Sequence, residues 1–352
     1  MPASRQTQDY IEKELPYKIL MSIYKNSRAS LRELGENLGI SYHVIQSILK
    51  RMEEEYKITY SLELDESKLG FTEGRMITIK FGRMPNVDFL KEKFQKDIFV
   101  QNAYLAEGDF DVVFYVVGLS SKDFSIWYHK LRVDLAEYAP VLKFSVVDAS
   151  GVGFLPLRNE LMNESTVLSS QEKKVLTLLN SNSRMRLKDI ITASGLNQMK
   201  VLYIIKKLKT MGIIKKFSAL TQNPDKRLFF MYTLSNTPGK THRELLLKFL
   251  KELVSEDLHE VSNDYCLIMD VTGAFDAIYF CDFLNGEILS KRGPGLIQTL
   301  WAEETPAIEK AILTSVLVGK WPFHLVEYEV QNRVIKAISK EMNLQIDQVS
   351  EQ

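Results

Sequence analysis

Between positions 165 and 220 the chain carries eleven Lys and Arg residues against two acids, Glu172 and Asp189, a local charge of +9. The whole sequence has a formal net charge of +0, and residues 1–60 contribute only +1, so the remaining segments are acidic. Inside the basic island Gln198, Met199, Lys200, Tyr203, Lys206 and Lys207 lie close together, followed by Lys215 and Lys216. Lysines at this density can neutralise phosphates, and Gln198, Lys200 and Tyr203 can read base edges, so the set suits double-stranded DNA. A solvated helical face would have the same composition. A second, weaker set, Tyr42, His43, Gln46, Ser47 and Lys50, precedes Glu53-Glu54-Glu55, a run that repels phosphates unless it points away.

Two glycine turns offer different chemistry. Gly108-Asp109-Phe110-Asp111 is echoed by Gly273-Ala274-Phe275-Asp276, 165 positions on. Free N–H groups at such a turn can hold a carboxylate, while Asp111 or Asp276 can hold an amine, so Gly108, Asp111, Gly273 and Asp276 form a candidate site for an amino acid or other small effector. A hairpin turn with a solvated aspartate accounts for the same residues. No catalytic residue, metal site or cofactor is assigned. Cys266 and Cys281 form no CxxC pair and lie in apolar runs, which reads as reduced, buried thiols. The apolar run from Val112 to Val117 is far short of the roughly 20 residues that span a bilayer, and the N-terminus lacks a basic-then-apolar signal. A cytoplasmic protein with no membrane partner is expected.

The elements that position these residues come in two copies. Arg28, Leu31, Leu34, Gly39, Ile40 and Ile58 have counterparts in Arg184, Leu187, Ile190, Gly195, Leu196 and Ile214, all 156 positions later without a gap. Internal repeats of this kind decide the architecture. In the first copy Tyr17 to Tyr24 has helical apolar spacing, Ser30 with Glu33 forms a capping box, and the helix from Leu31 stops at Gly39. Ser41 then caps a third helix to about Glu55, burying Ile45, Ile48, Leu49 and Met52 and turning His43, Ser47 and Lys50 outward with Gln46 on the flank. Two short helices around a glycine turn make a helix-turn-helix, whose second helix enters the major groove. Such units also serve as protein-interaction modules. In the second copy Met199, Tyr203 and Lys206 point outward, flanked by Gln198, Lys200 and Leu202. Gly212 to Lys216 reads as a turn into a wing that sets two lysines beside a phosphate backbone.

From Arg75 to Asp148 the pattern changes to strand, helix, strand, strand, helix, strand, the ferredoxin-like βαββαβ order. Met76 to Phe81, Phe110 to Val117 and Leu142 to Val147 read as strands, Val87 to Gln95 and Lys122 to Glu137 as helices. The second copy follows through Leu228 to Leu234, His242 to Leu253, Tyr265 to Val271, Phe275 to Phe280 and Ile308 to Val318, with Gly293-Pro294-Gly295 breaking its last helix. The expected fold class is α+β, two winged helix-turn-helix domains alternating with two ferredoxin-like domains. The segments are a tail at 1–14, helical units at 15–64 and 169–221, sheet units at 65–155 and 222–322, a linker at 156–168, and a helical extension at 323–352.

The run Asn26-Ser27-Arg28, Leu34, Leu38-Gly39-Ile40-Ser41, Ile45, Leu49, Met52, Leu64-Asp65 and Leu69-Gly70 resembles the Lrp/AsnC family of transcription regulators. Asn182-Ser183-Arg184, Ile190, Gly195-Leu196, Val201, Ile205, Leu208 and Gly212-Ile213-Ile214 do so again, and the Gly-x-Phe-Asp turns match that family's effector-sensing domain. The resemblance implies winged-helix DNA binding, assembly through the sheet domains as an intramolecular pseudo-dimer or a homodimer, and regulation of transcription by an amino acid or similar effector. This chain departs from the family in carrying two units and in placing Ile48 and Ile204 where an arginine is usual. Siroheme decarboxylases, built from paired Lrp-like subunits, give an enzymatic alternative. Their histidine-tyrosine-arginine cluster has no clear match among His43, His129, His242, His259 and His324, and Trp321-Pro322-Phe323-His324 is a faint echo. A ligand-sensing or interaction protein that does not bind DNA is the remaining alternative.

Overall fold

A computed structural model describes residues 15–55, 58–148, 157–220, 228–235, 265–283 and 307–319. The first helical unit comprises α1 (Leu15–Lys25), α2 (Leu31–Leu38) and α3 (Tyr42–Glu55). Ser30 and Glu33 form the full reciprocal capping box on α2, and Gly39 ends it in the left-handed region at φ 68°. Ile19, Ile23, Leu34, Ile45, Leu49 and Met52 close one core. The stripe read from the sequence is therefore the buried one.

Strand β1 (Thr59–Leu64) leads into the first sheet unit: β2 (Glu73–Phe81), α4 (Val87–Lys96), β3 (Val100–Gly108), β4 (Val112–Val117), α5 (Ser121–Asp134) and β5 (Pro140–Asp148). A short helix, α6 (Asn159–Glu164), occupies the segment expected to be a linker. Leu161 and Met162 bury there, and the Arg158 guanidinium donates to the carbonyls of Gln95, Asp97 and Val100 at 2.8, 2.8 and 3.1 Å. It thereby satisfies carbonyls left over where α4 ends. The second helical unit follows as α7 (Ser170–Ser181), α8 (Leu187–Ser194) and α9 (Gln198–Thr210), and then β6 (Ile214–Leu220).

The second sheet unit contributes β7 (Leu228–Ser235), β8 (Tyr265–Asp270), β9 (Thr272–Gly273), β10 (Ala277–Phe283) and β11 (Ala307–Val318). Register sets the backbone of Cys266 opposite Cys281 between β8 and β10. The expected helix at His242 to Leu253, the Gly293-Pro294-Gly295 break, and the C-terminal helical stretch lie outside the described residues. Within each unit the spatial order is the ferredoxin-like one, β3-β4-β2-β5 and β8-β10-β7-β11.

The units are joined twice. β11 pairs with β3, setting Ala311 opposite Gly108, and β9 pairs with β5, setting Gly273 opposite Ser145. The nine-strand order therefore begins on β8 and ends on β9, which continues β8 after Val271, and the two sheets enclose one interior. Met76, Tyr104, Phe110, Val113 and Tyr115 meet Met231, Phe275, Ile278 and Leu313 there. The opposite face of the first sheet, with Ile77, Ile79, Phe114 and Val116, is covered by Leu90, Phe94, Phe124 and Leu131 from α4 and α5.

The helical units are also joined within the chain. β1 pairs antiparallel with β6, from Thr59 opposite Leu220 to Leu64 opposite Ile214. The ribbon is centred on Ser61 and Leu62 in one strand and Phe217 and Ser218 in the other, the same repeat positions 156 residues apart. Ser27 and Ser183, likewise equivalent, touch through their hydroxyl oxygens at 2.6 Å. Contact between two equivalent atoms places them on a local two-fold axis, which relates the two units.

The axis is imperfect. Arg28 donates to the carbonyls of Ser183 and Met185 at 2.9 and 3.2 Å and lies over the Phe217 ring. Its counterpart Arg184 stacks on Tyr60, with Nη1 buried and lacking a hydrogen-bond partner among the described residues. Arg28→Ala should therefore cost about 2 kcal/mol, and Arg184→Ala less than half of that, in urea unfolding. Equal losses would contradict this asymmetry.

Candidate nucleic-acid interface

Helix α9 is positioned from both ends of its first turn. Gly195 adopts the left-handed region that stops α8, and the Asn197 side chain caps α9 by accepting from the Lys200 N–H at 2.9 Å. Val201, Ile204 and Leu208 bury against the second core. That leaves Gln198, Met199, Lys200, Leu202, Tyr203, Lys206 and Lys209 exposed on one face. Met199 is 76% exposed, Tyr203 59% and Leu202 43%, and the three fall together on this one face. Lys200 Nζ lies 5.6 Å from the Tyr203 ring centre, so cation and aromatic share one patch.

The lysines divide into two groups. Lys206 stands exposed, but Lys207 turns inward, its Nζ 2.6 Å from Glu172 Oε1 on α7. Burial raises the Glu172 carboxyl, but hydrogen bonds from Lys207 and from Ser169 outweigh it and leave the pKa below the ordinary value. The strand read as a wing is not a free wing: β6 is the half of the ribbon that pairs with β1. Lys216 on it is committed twice, to Glu63 at 3.0 Å and to the face of the Tyr24 ring at 3.5 Å. Lys215 is exposed and interacts electrostatically with Asp65. Lys188, at the start of α8, is an exposed lysine outside the set expected from the sequence. The first helix of a DNA-binding helix-turn-helix generally crosses the phosphate backbone, so its place on α8 is the signal that could have found it.

In the first unit Tyr42, His43, Gln46, Ser47 and Lys50 are all exposed on α3, with Tyr42 and His43 edge to face at 5.4 Å. Ile48 and Ile204, where the resembling family has an arginine, are buried in their respective cores. The acidic run is partly neutralised by geometry. Glu53 accepts a hydrogen bond from the Tyr60 hydroxyl, and burial together with that bond raises the Tyr60 pKa. Glu54 remains exposed.

The glycine turns have a different setting from the open nest expected of them. Gly108 and Gly273 sit at the two joints between the sheets. The N–H after each glycine is donated to the facing strand, Asp109 to the Lys310 carbonyl and Ala274 to the Phe144 carbonyl, both at 2.9 Å. Asp111 is held by Lys80 Nζ at 2.7 Å and by the Phe81 N–H at 2.8 Å. Asp276 is half-buried, its carbonyl accepting from the Val271 N–H at 3.0 Å. The amides are thus spent on strand pairing, a long-range contact that spacing along the chain does not reveal.

Of the five histidines, His43 and His129 fall among the described residues; both are exposed, and both lie on helices. Among those residues no three His, Cys, Asp or Glu side chains cluster to hold a metal ion, and no helix is long and apolar enough to cross a membrane.

A winged helix-turn-helix DNA-binding family matches residues 13–55 and 168–215, both helical units. The HTH-type transcriptional regulator FL11 of Pyrococcus furiosus is 24% identical over 107 residues, covering 30% of this chain and 70% of that protein. Among solved structures, the siroheme decarboxylase NirDL has a similar fold, with a TM-score of 0.56 at 12% identity over 92% of this chain and 99% of that one. LrpC of Bacillus subtilis aligns with 38% of this chain and 91% of its own length, at 19% identity and a TM-score of 0.33.

Proposed function

We propose that this chain, a DNA-binding regulator of the Lrp/AsnC type, works as a tandem transcription regulator, presenting both helix-turn-helix units of one polypeptide to one stretch of duplex DNA. The observation that carries this reading is the outer face of α9, where a capped helix exposes Gln198, Met199, Lys200, Tyr203 and Lys206 in the most basic part of the chain. Helices presented this way place their first turns against base edges, while flanking cations meet phosphates. Both units belong to one chain, so the second is held beside the first without a bimolecular step.

Salt dependence tests the assignment. Lys200→Gln with Lys206→Gln should flatten the log-log dependence of affinity on salt by about 1.8, roughly 0.9 for each phosphate no longer neutralised. Lys207→Gln with Lys216→Gln should change it by less than half of that, because those ammonium groups already serve Glu172 and Glu63. Fluorescence anisotropy on a duplex, titrated with KCl, reads both variants. The reverse ranking would move the interface off α9.

Control by a small effector belongs to the same proposal. A carboxylate that bound at Gly108 or Gly273 would compete for the Asp109 or Ala274 amide, which links ligand binding to the joints between the sheets. The NirDL likeness, at 12% identity, establishes a shared architecture and carries no activity over to this chain.

A further inference from the structure

The local two-fold axis makes α3 and α9 equivalent in position, yet their outward residues differ at nearly every place. Along the 156-residue offset Tyr42 corresponds to Gln198, His43 to Met199, Val44 to Lys200, Gln46 to Leu202 and Ser47 to Tyr203. Of these outward pairs, Lys50 and Lys206 keep the same residue, and next to them Arg51 and Lys207 keep the charge. All twelve outward residues are exposed, so none of these differences is imposed by the cores.

A homodimer must present identical helices to its two half-sites, and palindromic sites mirror that symmetry. This chain is under no such constraint. We infer that it reads an asymmetric site, in which α3 meets a half-site through the hydrogen-bonding groups of His43, Gln46 and Ser47 while α9 meets a thymine-rich half-site through Met199, Leu202 and Tyr203.

The chemistry of the two helices separates the halves. Gln46 can pair both edge groups of an adenine in the major groove, and His43 and Ser47 add single donors or acceptors. Met199, Leu202 and Tyr203 present apolar surface, and the apolar feature of the major groove is the thymine C5-methyl group. Lys200 and Lys206 border that patch, which supplies the charge match a DNA groove needs and an apolar protein partner does not. Burying each methyl against such a patch is worth roughly fourfold in affinity.

This inference rests on the DNA-binding reading, and the test separates the two. Selection from a random duplex library with the full chain should return a site with two unlike halves, one rich in thymine. Replacing thymine by deoxyuridine in that half alone removes only methyl groups and should weaken binding about fourfold per contacted base. The same replacement in the other half should change affinity less than twofold. Met199→His, Leu202→Gln and Tyr203→Ser together should redirect selection towards two like halves. The converse graft, Gln46→Leu with Ser47→Tyr, should abolish the difference from the other side and guards against one variant failing to fold. Two like half-sites, or a deoxyuridine effect equal in both halves or absent from both, would overturn the asymmetry and leave DNA binding standing. Absence of salt-sensitive binding to any duplex would remove the DNA-binding reading and the asymmetry with it.

Discussion

Valine at both Gly108 and Gly273 is expected to part the two sheets and abolish their common unfolding transition. A Cβ at Gly108 would lie 2.3 Å from the Lys310 carbonyl oxygen and 2.9 Å from the Ala311 Cα; at Gly273 it would lie 2.8 Å from the Phe144 carbonyl oxygen and 3.0 Å from the Ser145 Cα. These neighbours are backbone atoms of a paired strand, which no side-chain rotation can move aside. Both glycines also sit at positive φ, +146° and +141°, a region that side chains rarely adopt. Conformational cost and clash together amount to about 3 kcal/mol per site, and two independent sites approach the whole stability of an ordinary domain. Gly195→Ala is the control. Its φ is +69° and nothing lies within 4 Å of the added carbon, so about 1 kcal/mol is expected. Guanidinium unfolding followed by near-UV dichroism reads all three proteins. A Gly273→Val protein as stable as the Gly195→Ala protein would show that the β5–β9 joint is dispensable.

What was legible in the sequence follows the range of the interaction that fixes it. The stops at Gly39 and Gly195, the Ser30 cap and the stripe Ile45, Ile48, Leu49 and Met52 depend on neighbours within one or two turns, and spacing alone finds them. Strand β3 was expected from the order of elements but received no bounds, because Gln101 and Asn102 interrupt its apolar run. Both are fully buried, and Gln101 is satisfied by the Ile98 carbonyl and the Arg158 N–H. The segment expected to be a linker became α6 because Arg158 found the end of α4, some 60 residues back.

The candidate interface shows the same division. Helical periodicity correctly turned Met199, Tyr203 and Lys206 outward, but it could not know that α7 offers Glu172 to Lys207. Nor could it know that the wing strand pairs with its own counterpart, which takes Lys216 to Glu63 and Tyr24. The repeat of two like units was visible; the two-fold axis that relates them was not, because contact between Ser27 and Ser183 is a property of the folded pair.

Glu66→Gln should remove most of a pH dependence built into the seam between the paired helical units and the first sheet. Glu66 is fully buried where β1 hands over to the sheet. Its Oε2 accepts from the Tyr115 hydroxyl on β4 at 2.8 Å, while Oε1 is buried without a hydrogen-bond partner among the described residues. Burial pushes the carboxyl up from 4.5 to about 8, further raised by Asp65 and opposed by the Tyr115 hydrogen bond and by Lys215 on β6. Folded Glu66 thus keeps its proton where the unfolded chain has lost it. Its contribution to stability is complete below about pH 4.5, declines as pH rises through the interval to about 8, and is gone above that. The slope is at most about 1.4 kcal/mol per pH unit, or about 5 kcal/mol across the window. Glutamine has no proton to lose. Its amide can keep an oxygen towards Tyr115 but leaves N–H groups unpaired near the Oε1 position, at a pH-independent cost of about 1–3 kcal/mol. The variant should therefore be close to wild type or weaker at pH 5 and should gain steadily on it up to pH 8. Urea midpoints at half-unit intervals give the difference curve directly, and parallel curves for the two proteins would mean that Glu66 titrates as an ordinary carboxylate.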